Sequence, residues 1–151
     1  MAEHAIKTVA RNRKAKHDYH ILNTMEAGIV LKGTEVKSLR QGKANIKDSY
    51  ARIQNGEIKL FELHISPYQN KGYAGHNPTR PRKLLLHKRE IRRLDGKVEE
   101  KGLTLIPLQI YFKKGIAKVE LALAKGKKAY DKREKISKRD MDKEISKVLK
   151  K

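Results

Sequence analysis

Two residues, Asn55-Gly56, constrain this chain more than any others. That dipeptide best supplies the two consecutive positive φ angles that a tight two-residue hairpin loop needs. The segments beside it, Ser49 to Gln54 and Glu57 to Leu63, read as strands, so an antiparallel pair is expected there. A second pair is expected at Leu103 to Phe112 and Ile116 to Leu123, turning at Lys113-Lys114-Gly115, with Pro107 marking a sheet edge or a bulge.

The rest of the chain fits around these hairpins. From Tyr19, the residues Ile21, Asn23, Met25, Ala27, Ile29 and Leu31 share one face of a long bent strand; Leu22 and Val30 interrupt the alternation, and Gly28 suggests a bulge. Between Gly33 and Gly42, Val36 and Leu39 lie three apart behind a Gly or Thr cap, with Gly42 placed as a C-terminal stop, which predicts a short helix. Residues 66 to 83 hold Pro67, Gly72, Gly75, Pro78 and Pro81 and predict a mobile loop. Leu84-Leu85-Leu86 then leads into a helix with Ile91, Leu94 and Val98 at helical spacing, and Glu90 lies three residues after His87 as in a capping box. The order is β-α-β-β-loop-α-β-β. Short, mostly antiparallel strands with two or three helices plugging the ends predict a mainly β fold, a small antiparallel barrel of the oligonucleotide-binding kind.

Charge narrows the partner. The chain has 37 Lys and Arg against 17 Asp and Glu, a net charge of +20. Five basic residues face one acidic residue in 1–17, a basic N-terminal arm; 20 face 11 in 18–124, the barrel; and 12 face 5 in 125–151, a basic tail. Such a balance attracts polyanions at long range. Neither terminus offers the Trp, Phe and Leu face that interfacial helices bury, so nucleic acid is expected and a membrane is not. With no cysteine and no apolar run near 18 residues, the chain reads as a cytoplasmic protein without disulfides, thiolate metal sites or a membrane span. In the tail, the aliphatic residues Ile136, Met141, Ile145, Val148 and Leu149 make a stripe too thin to hold an isolated helix, which predicts disorder when free and helix on contact with a partner.

Catalysis is not expected. The six histidines are scattered, and His17 with His20 make at most half of a metal site, so no metal or other cofactor is anticipated. No phosphate-cradling Gly-Lys-Ser/Thr loop or nucleophile elbow is present, and Glu99-Glu100 reads as a solvated helix end. Basic residues beside aromatics carry more weight, since phosphates supply affinity and rings stack on unpaired bases. Arg80, Arg82 and Lys83 are candidates for phosphate contact, Tyr130 for stacking, and Tyr68 and Tyr73 for either stacking or local packing; Tyr19, Tyr50 and Tyr111 fit strands and read as packing. Glu26 is an acid in a strand of a polyanion binder. It is either simply solvated or an acceptor for a base edge or a neighbouring cation.

Four ordered motifs carry a resemblance: Glu26-Ala-Gly-Ile-Val-Leu-Lys-Gly-Thr-Glu-Val-Lys-Ser-Leu-Arg40, Asp48-Ser49-Tyr50, the run from Pro78 to Ile91, and Ala124-Lys-Gly-Lys-Lys-Ala-Tyr-Asp-Lys-Arg133. Together they resemble the bacterial tmRNA-binding protein family, small protein B, also called SsrA-binding protein. The resemblance implies an RNA-binding factor of trans-translation, a monomer that binds the tRNA-like domain of tmRNA (SsrA RNA) and, with elongation factor Tu, escorts alanyl-tmRNA to stalled 70S ribosomes. It implies no enzymatic activity. For the tmRNA-binding face it points to Glu26, Leu85 and His87, with His87 standing where many members have Asn, and Lys37, Arg40, Arg80, Arg82, Lys83, Lys88 and Lys125 are expected to join them as basic contacts to that RNA. For the tail it implies entry into the empty mRNA channel near the 16S rRNA decoding centre, with Gly126, Lys127, Lys128, Tyr130, Asp131, Lys132, Arg133 and Ile136 making the contacts. The alternatives are a constitutive ribosomal or general RNA-binding protein and an RNA-processing enzyme.

Overall fold

The computed structural model describes residues 6–67 and 76–126, apart from the side chains of 100 and 101. The elements are β1 (Ile6–Arg11), α1 (Ala15–Asp18), β2 (Tyr19–Ile29), α2 (Gly33–Arg40), β3 (Ala44–Asn45), β4 (Tyr50–Gln54), β5 (Glu57–Phe61), β6 (His64–Ile65), β7 (Arg82–Leu85), α3 (Lys88–Lys101), β8 (Thr104–Lys113) and β9 (Ile116–Gly126). Six strands run in the order β8-β4-β5-β7-β2-β9, and β9 pairs back onto β8, closing an antiparallel barrel. β1 adds to the outside of the ring on β8, while β3 and β6 form a separate two-stranded ladder. β8 can serve three neighbours because β4 meets it at Leu105, near its start, whereas β1 takes the stretch from Gln109 to Lys113.

Both hairpins turn where the sequence places them. Asn55 and Gly56 have φ of 53 and 77, and Lys114 and Gly115 have φ of 55 and 77, the twin left-handed residues of a two-residue loop. Inside, Ile58, Leu60, Leu84, Ile110, Val119 and Leu121 are fully or almost fully buried, and α3 lays Ile91 and Leu94 on the same core. Burying such side chains stabilises a fold by about 1.5–3 kcal/mol each.

The structure corrects several local expectations. The irregularity in β2 falls between Ile21 and Asn23, so Leu22 is the bulged residue and stands exposed; Gly28 instead pairs in register with Leu85. Pro107 does mark a bulge, since the β8–β9 register slips between Pro107 and Gln109. Glu90 makes no capping box with His87, which caps α3 without a side-chain hydrogen bond, and Glu90 accepts instead from Arg93. The reciprocal bond occurs at α2, where the Lys32 N–H donates to Glu35 Oε1 at 2.7 Å. Residues 6–18 contribute a strand and a short helix, held by the bond from the Asn12 N–H to the Leu108 carbonyl at 2.8 Å. β7 went unread because its inward position is filled by an arginine. At the other end β9 runs to Gly126, paired with Tyr19.

Candidate nucleic-acid interface

β2 and β7 come together at the Gly28–Leu85 pair, where a Cβ on residue 28 would lie 3.3 Å from Leu85 Cβ and Cδ1. That close approach brings Leu85, 52% exposed, alongside the outward face of β2. The result is an open groove of about 460 Å³ lined by Met25, Glu26, Leu85, Leu86, His87 and Lys118, with Gly28 and Glu90 completing it. Three residues expected at the binding face, Glu26, Leu85 and His87, therefore meet in one concavity, and Lys88 follows His87 directly as the first residue of α3. Lys83 stands on the same exposed side of β7 as Leu85, its ammonium 3.3 Å from Glu57 Oε2.

Glu26 is not merely solvated. The Tyr111 hydroxyl donates to its Oε2, and Lys113 Nζ lies 3.4 Å from the same atom. The bond from Tyr111 holds the Glu26 carboxyl below the ordinary carboxylate range; partial burial works against this and the positive charges of Lys113 and Lys118 add to it. Both contacts fall on Oε2. Burial, and then the bond to Glu26, push the Tyr111 hydroxyl far above its usual value, so it stays a donor. Tyr111 packs as the sequence suggests, but its hydroxyl role went unread, because nothing in sequence spacing links β8 to β2 across the intervening β9.

The basic run at 80–83 needs correction. Arg82 has no solvent exposure: its Nε donates to Glu35 Oε2 at 2.7 Å, and its two terminal nitrogens donate to the Leu63 carbonyl at 2.6 Å and the Pro78 carbonyl at 3.1 Å. It cannot reach a phosphate. Arg80, with a side chain 25% exposed, donates through Nε and a terminal nitrogen to the two oxygens of the same carboxylate at 2.9 and 2.6 Å. Glu35 is fully buried, and although burial tends to raise its pKa, the bonds from Arg80, the Lys32 N–H and Arg82 outweigh that and hold it below the ordinary range. The two arginines belong to a clamp that ties the chain before β7 to α2. His76 reinforces it, one ring nitrogen 2.9 Å from the Thr34 hydroxyl and the other 2.9 Å from the Ile65 carbonyl.

Other expected residues lie elsewhere. Lys37 and Arg40 are on α2, the Arg40 guanidinium 5.1 Å from the centre of the Phe112 ring. Lys125 pairs with His20, six residues along β2 from Glu26 and so about 20 Å away. Tyr50 stacks on Phe61 at 5.5 Å, as a packing residue does. Tyr68, Tyr73, Lys127, Lys128, Tyr130, Asp131, Lys132, Arg133 and Ile136 lie outside the described residues. Among the described residues no cluster of three His, Asp or Glu could hold a metal, and no helix is long and apolar enough to cross a membrane.

A closed antiparallel barrel with Glu26 and Leu85 set in one groove beside His87 and Lys118 defines a basic module of the oligonucleotide-binding kind. Comparison with known proteins narrows the class. A family model described as SmpB protein matches residues 9–151, and the chain belongs to that family. It is 65% identical over 148 residues to the SsrA-binding protein of Desulforudis audaxviator, covering 98% of this chain and 97% of the relative. It is 64% identical over 143 residues to that of Carboxydothermus hydrogenoformans, covering 95% and 96%. It also matches a solved chain from a structure described as "tmRNA-SmpB: a journey to the center of the bacterial ribosome", with a TM-score of 0.65 and 62% identity, over 78% of this chain and 82% of that one.

Proposed function

We propose that this protein is the tmRNA-binding factor of trans-translation: the barrel grips the tRNA-like domain of tmRNA, and the protein accompanies alanyl-tmRNA and elongation factor Tu to stalled ribosomes in the cytoplasm. The observation that carries the reading is the meeting of Glu26, Leu85 and His87 in one groove flanked by lysines. Leu85 and the rim of His87 offer surface for an unstacked base, Glu26 Oε1 accepts from a base amino or a ribose hydroxyl, and Lys83, Lys88 and Lys118 meet phosphates. Nothing in this requires a bond to be made or broken, so the protein acts by binding. The basic tail beyond Gly126 enters the vacant mRNA channel, with Lys127, Lys128, Tyr130, Asp131, Lys132, Arg133 and Ile136 contacting the decoding-centre rRNA. The membership of the SmpB family and the tmRNA-SmpB neighbour support both halves of this reading.

The test uses the full chain and a chain ending at Gly126. Titration with the tRNA-like domain RNA, and with an elongator tRNA as control, at two salt concentrations should give specific binding by both, within a few fold of each other. Peptide tagging on ribosomes stalled at a truncated message should require the full chain. Equal affinity for the two RNAs, or tagging by the shortened chain, overturns the reading.

A further inference from the structure

The Glu26 groove does not end at β2. Strand register carries its face sideways: Glu26 pairs with Glu120 on β9, Glu120 with Gln109 on β8, and Gln109 with Arg11 on β1. Directly paired residues project from the same face of a sheet. The side chains confirm it, since Gln109 Nε2 donates to Glu120 Oε1 at 2.9 Å. Three strand spacings separate Glu26 from Arg11, about 14 Å.

At the far side lies a second open groove of about 500 Å³, lined by Arg11, Arg13, Lys16, Leu108, Gln109 and Glu120 among others. Arg11, Arg13, Lys14 and Lys16 are all exposed, and none has an ion pair or hydrogen bond through its side chain among the described residues. The backbone that presents them is fixed. The Asn12 N–H donates to the Leu108 carbonyl and its side-chain amide to the Pro107 carbonyl at 3.4 Å, both at the β8 bulge, and Ala15 is buried against Ile106, Ala122 and Ala124. The bulge that Pro107 creates is thus the seat of a preorganised basic turn. Four cations on a fixed turn, with no ion pair among the described residues, repel one another and gain most from a polyanion.

We propose that the RNA footprint extends from the Glu26–Leu85–His87 groove across β9 and β8 to this basic turn, where Arg11, Arg13 and Lys16 hold phosphates of the same RNA. The inference rests on the tmRNA-binding reading and deepens it. In the strip between, the carboxylates of Glu26 and Glu120 would repel phosphate, so the strip faces a part of the ligand that offers donors. Ribose 2′-hydroxyls displayed in the wide, shallow minor groove of A-form RNA meet that need, with phosphates on either side reaching the cations. The strip therefore suits a double-helical stretch, and the Leu85 groove an adjoining unpaired base.

The test compares Arg11→Gln/Arg13→Gln/Lys16→Gln with a charge-matched variant on β4 and α3, Arg52→Gln/Arg92→Gln/Lys97→Gln. Both lose three charges, so long-range attraction falls equally. With the full chain and tRNA-like domain RNA, the first variant should lower the slope of log affinity against log salt by about two to three, at roughly 0.7–0.9 per phosphate contact. The second should lower it by less than one. Backbone protection of the RNA against hydroxyl radicals should vanish over one continuous stretch in the first variant and persist in the second. If the parent binds and the two variants behave alike, the extension is wrong while the groove stands. If the parent itself fails to prefer this RNA over tRNA, the underlying reading fails. Loss of ribosome-dependent tagging with unchanged RNA binding would assign the turn to rRNA and overturn the proposal.

Discussion

Replacing Glu35 by Gln tests whether Arg82 is a folding residue rather than an RNA contact. The wild-type carboxylate accepts three guanidinium bonds and the Lys32 N–H, all at 2.6 to 2.9 Å. Glutamine keeps the shape and one acceptor, but its amide donors face guanidinium donors and the charge of Arg82 is left without a counterion at zero exposure. Arg80 can recover water at its exposed edge, whereas Arg82 keeps only the carbonyls of Leu63 and Pro78. Breaking a buried pair from one side costs about 3–5 kcal/mol, a large share of the roughly 5–15 kcal/mol that hold a domain folded. With a urea slope near ~2 kcal/mol/M, the midpoint should fall by roughly 2 M. Urea titration followed by far-UV circular dichroism measures it. The folded pKa of Glu35 lies below its ordinary 4.5, so the stability it contributes is present above that value and drains away as the pH falls through the lower folded one. The wild type should therefore lose more stability than Glu35→Gln on acidification below about pH 4.5. A midpoint shift under roughly 0.5 M, or parallel acid profiles, would refute the clamp. At temperatures where both are folded, RNA affinity should be equal, because Glu35 and Arg82 lie beneath the surface.

Two substitutions address the groove. Leu85→Ala removes a half-exposed side chain, so stability should move by no more than about 0.5 kcal/mol, while affinity for the tRNA-like RNA, read by fluorescence anisotropy, drops by about 1.5–3 kcal/mol, the value of an apolar side chain buried against a base. Tyr111→Phe deletes the donor that most depresses Glu26, so the Glu26 carboxyl should titrate at higher pH by carbon NMR, and RNA binding should begin to weaken at a higher pH on acidification than in the wild type.

Much of this was legible in the residues, but unevenly. Asn55-Gly56 and Lys114-Gly115 declare themselves because a positive-φ pair is a local demand that few residues meet. β7 did not, since Arg82-Lys83-Leu84-Leu85 hides its alternation by placing an arginine inward, a choice affordable only because Glu35, forty-seven residues earlier, is buried beside it. Gly28 was read as a bulge for its missing side chain; the same absence serves the contact with Leu85, and the bulge passed to Leu22. Motif resemblance marked Glu26, Leu85 and His87, but no linear pattern could show that Tyr111 and Lys113 hold the acid, because that contact exists only once the barrel closes.

The same separation explains how a chain of +20 both folds and stays receptive to RNA. Composition alone makes every Lys and Arg an equal candidate for phosphate, yet the cations divide by their partners. Arg80 and Arg82 share Glu35, Lys83 meets Glu57, Arg93 meets Glu90 and Lys113 meets Glu26, while the turn from Arg11 to Lys16 gathers four exposed cations that make no ion pair among the described residues. A phosphate approaching a paired cation must displace a carboxylate, losing part of what it gains; at the unpaired turn it relieves repulsion already present in the free protein. A ligand that binds only the folded form stabilises it in proportion to its affinity. RNA should thus stabilise this barrel chiefly where such cations are gathered on a fixed backbone beside the groove, as they are at the turn from Arg11 to Lys16.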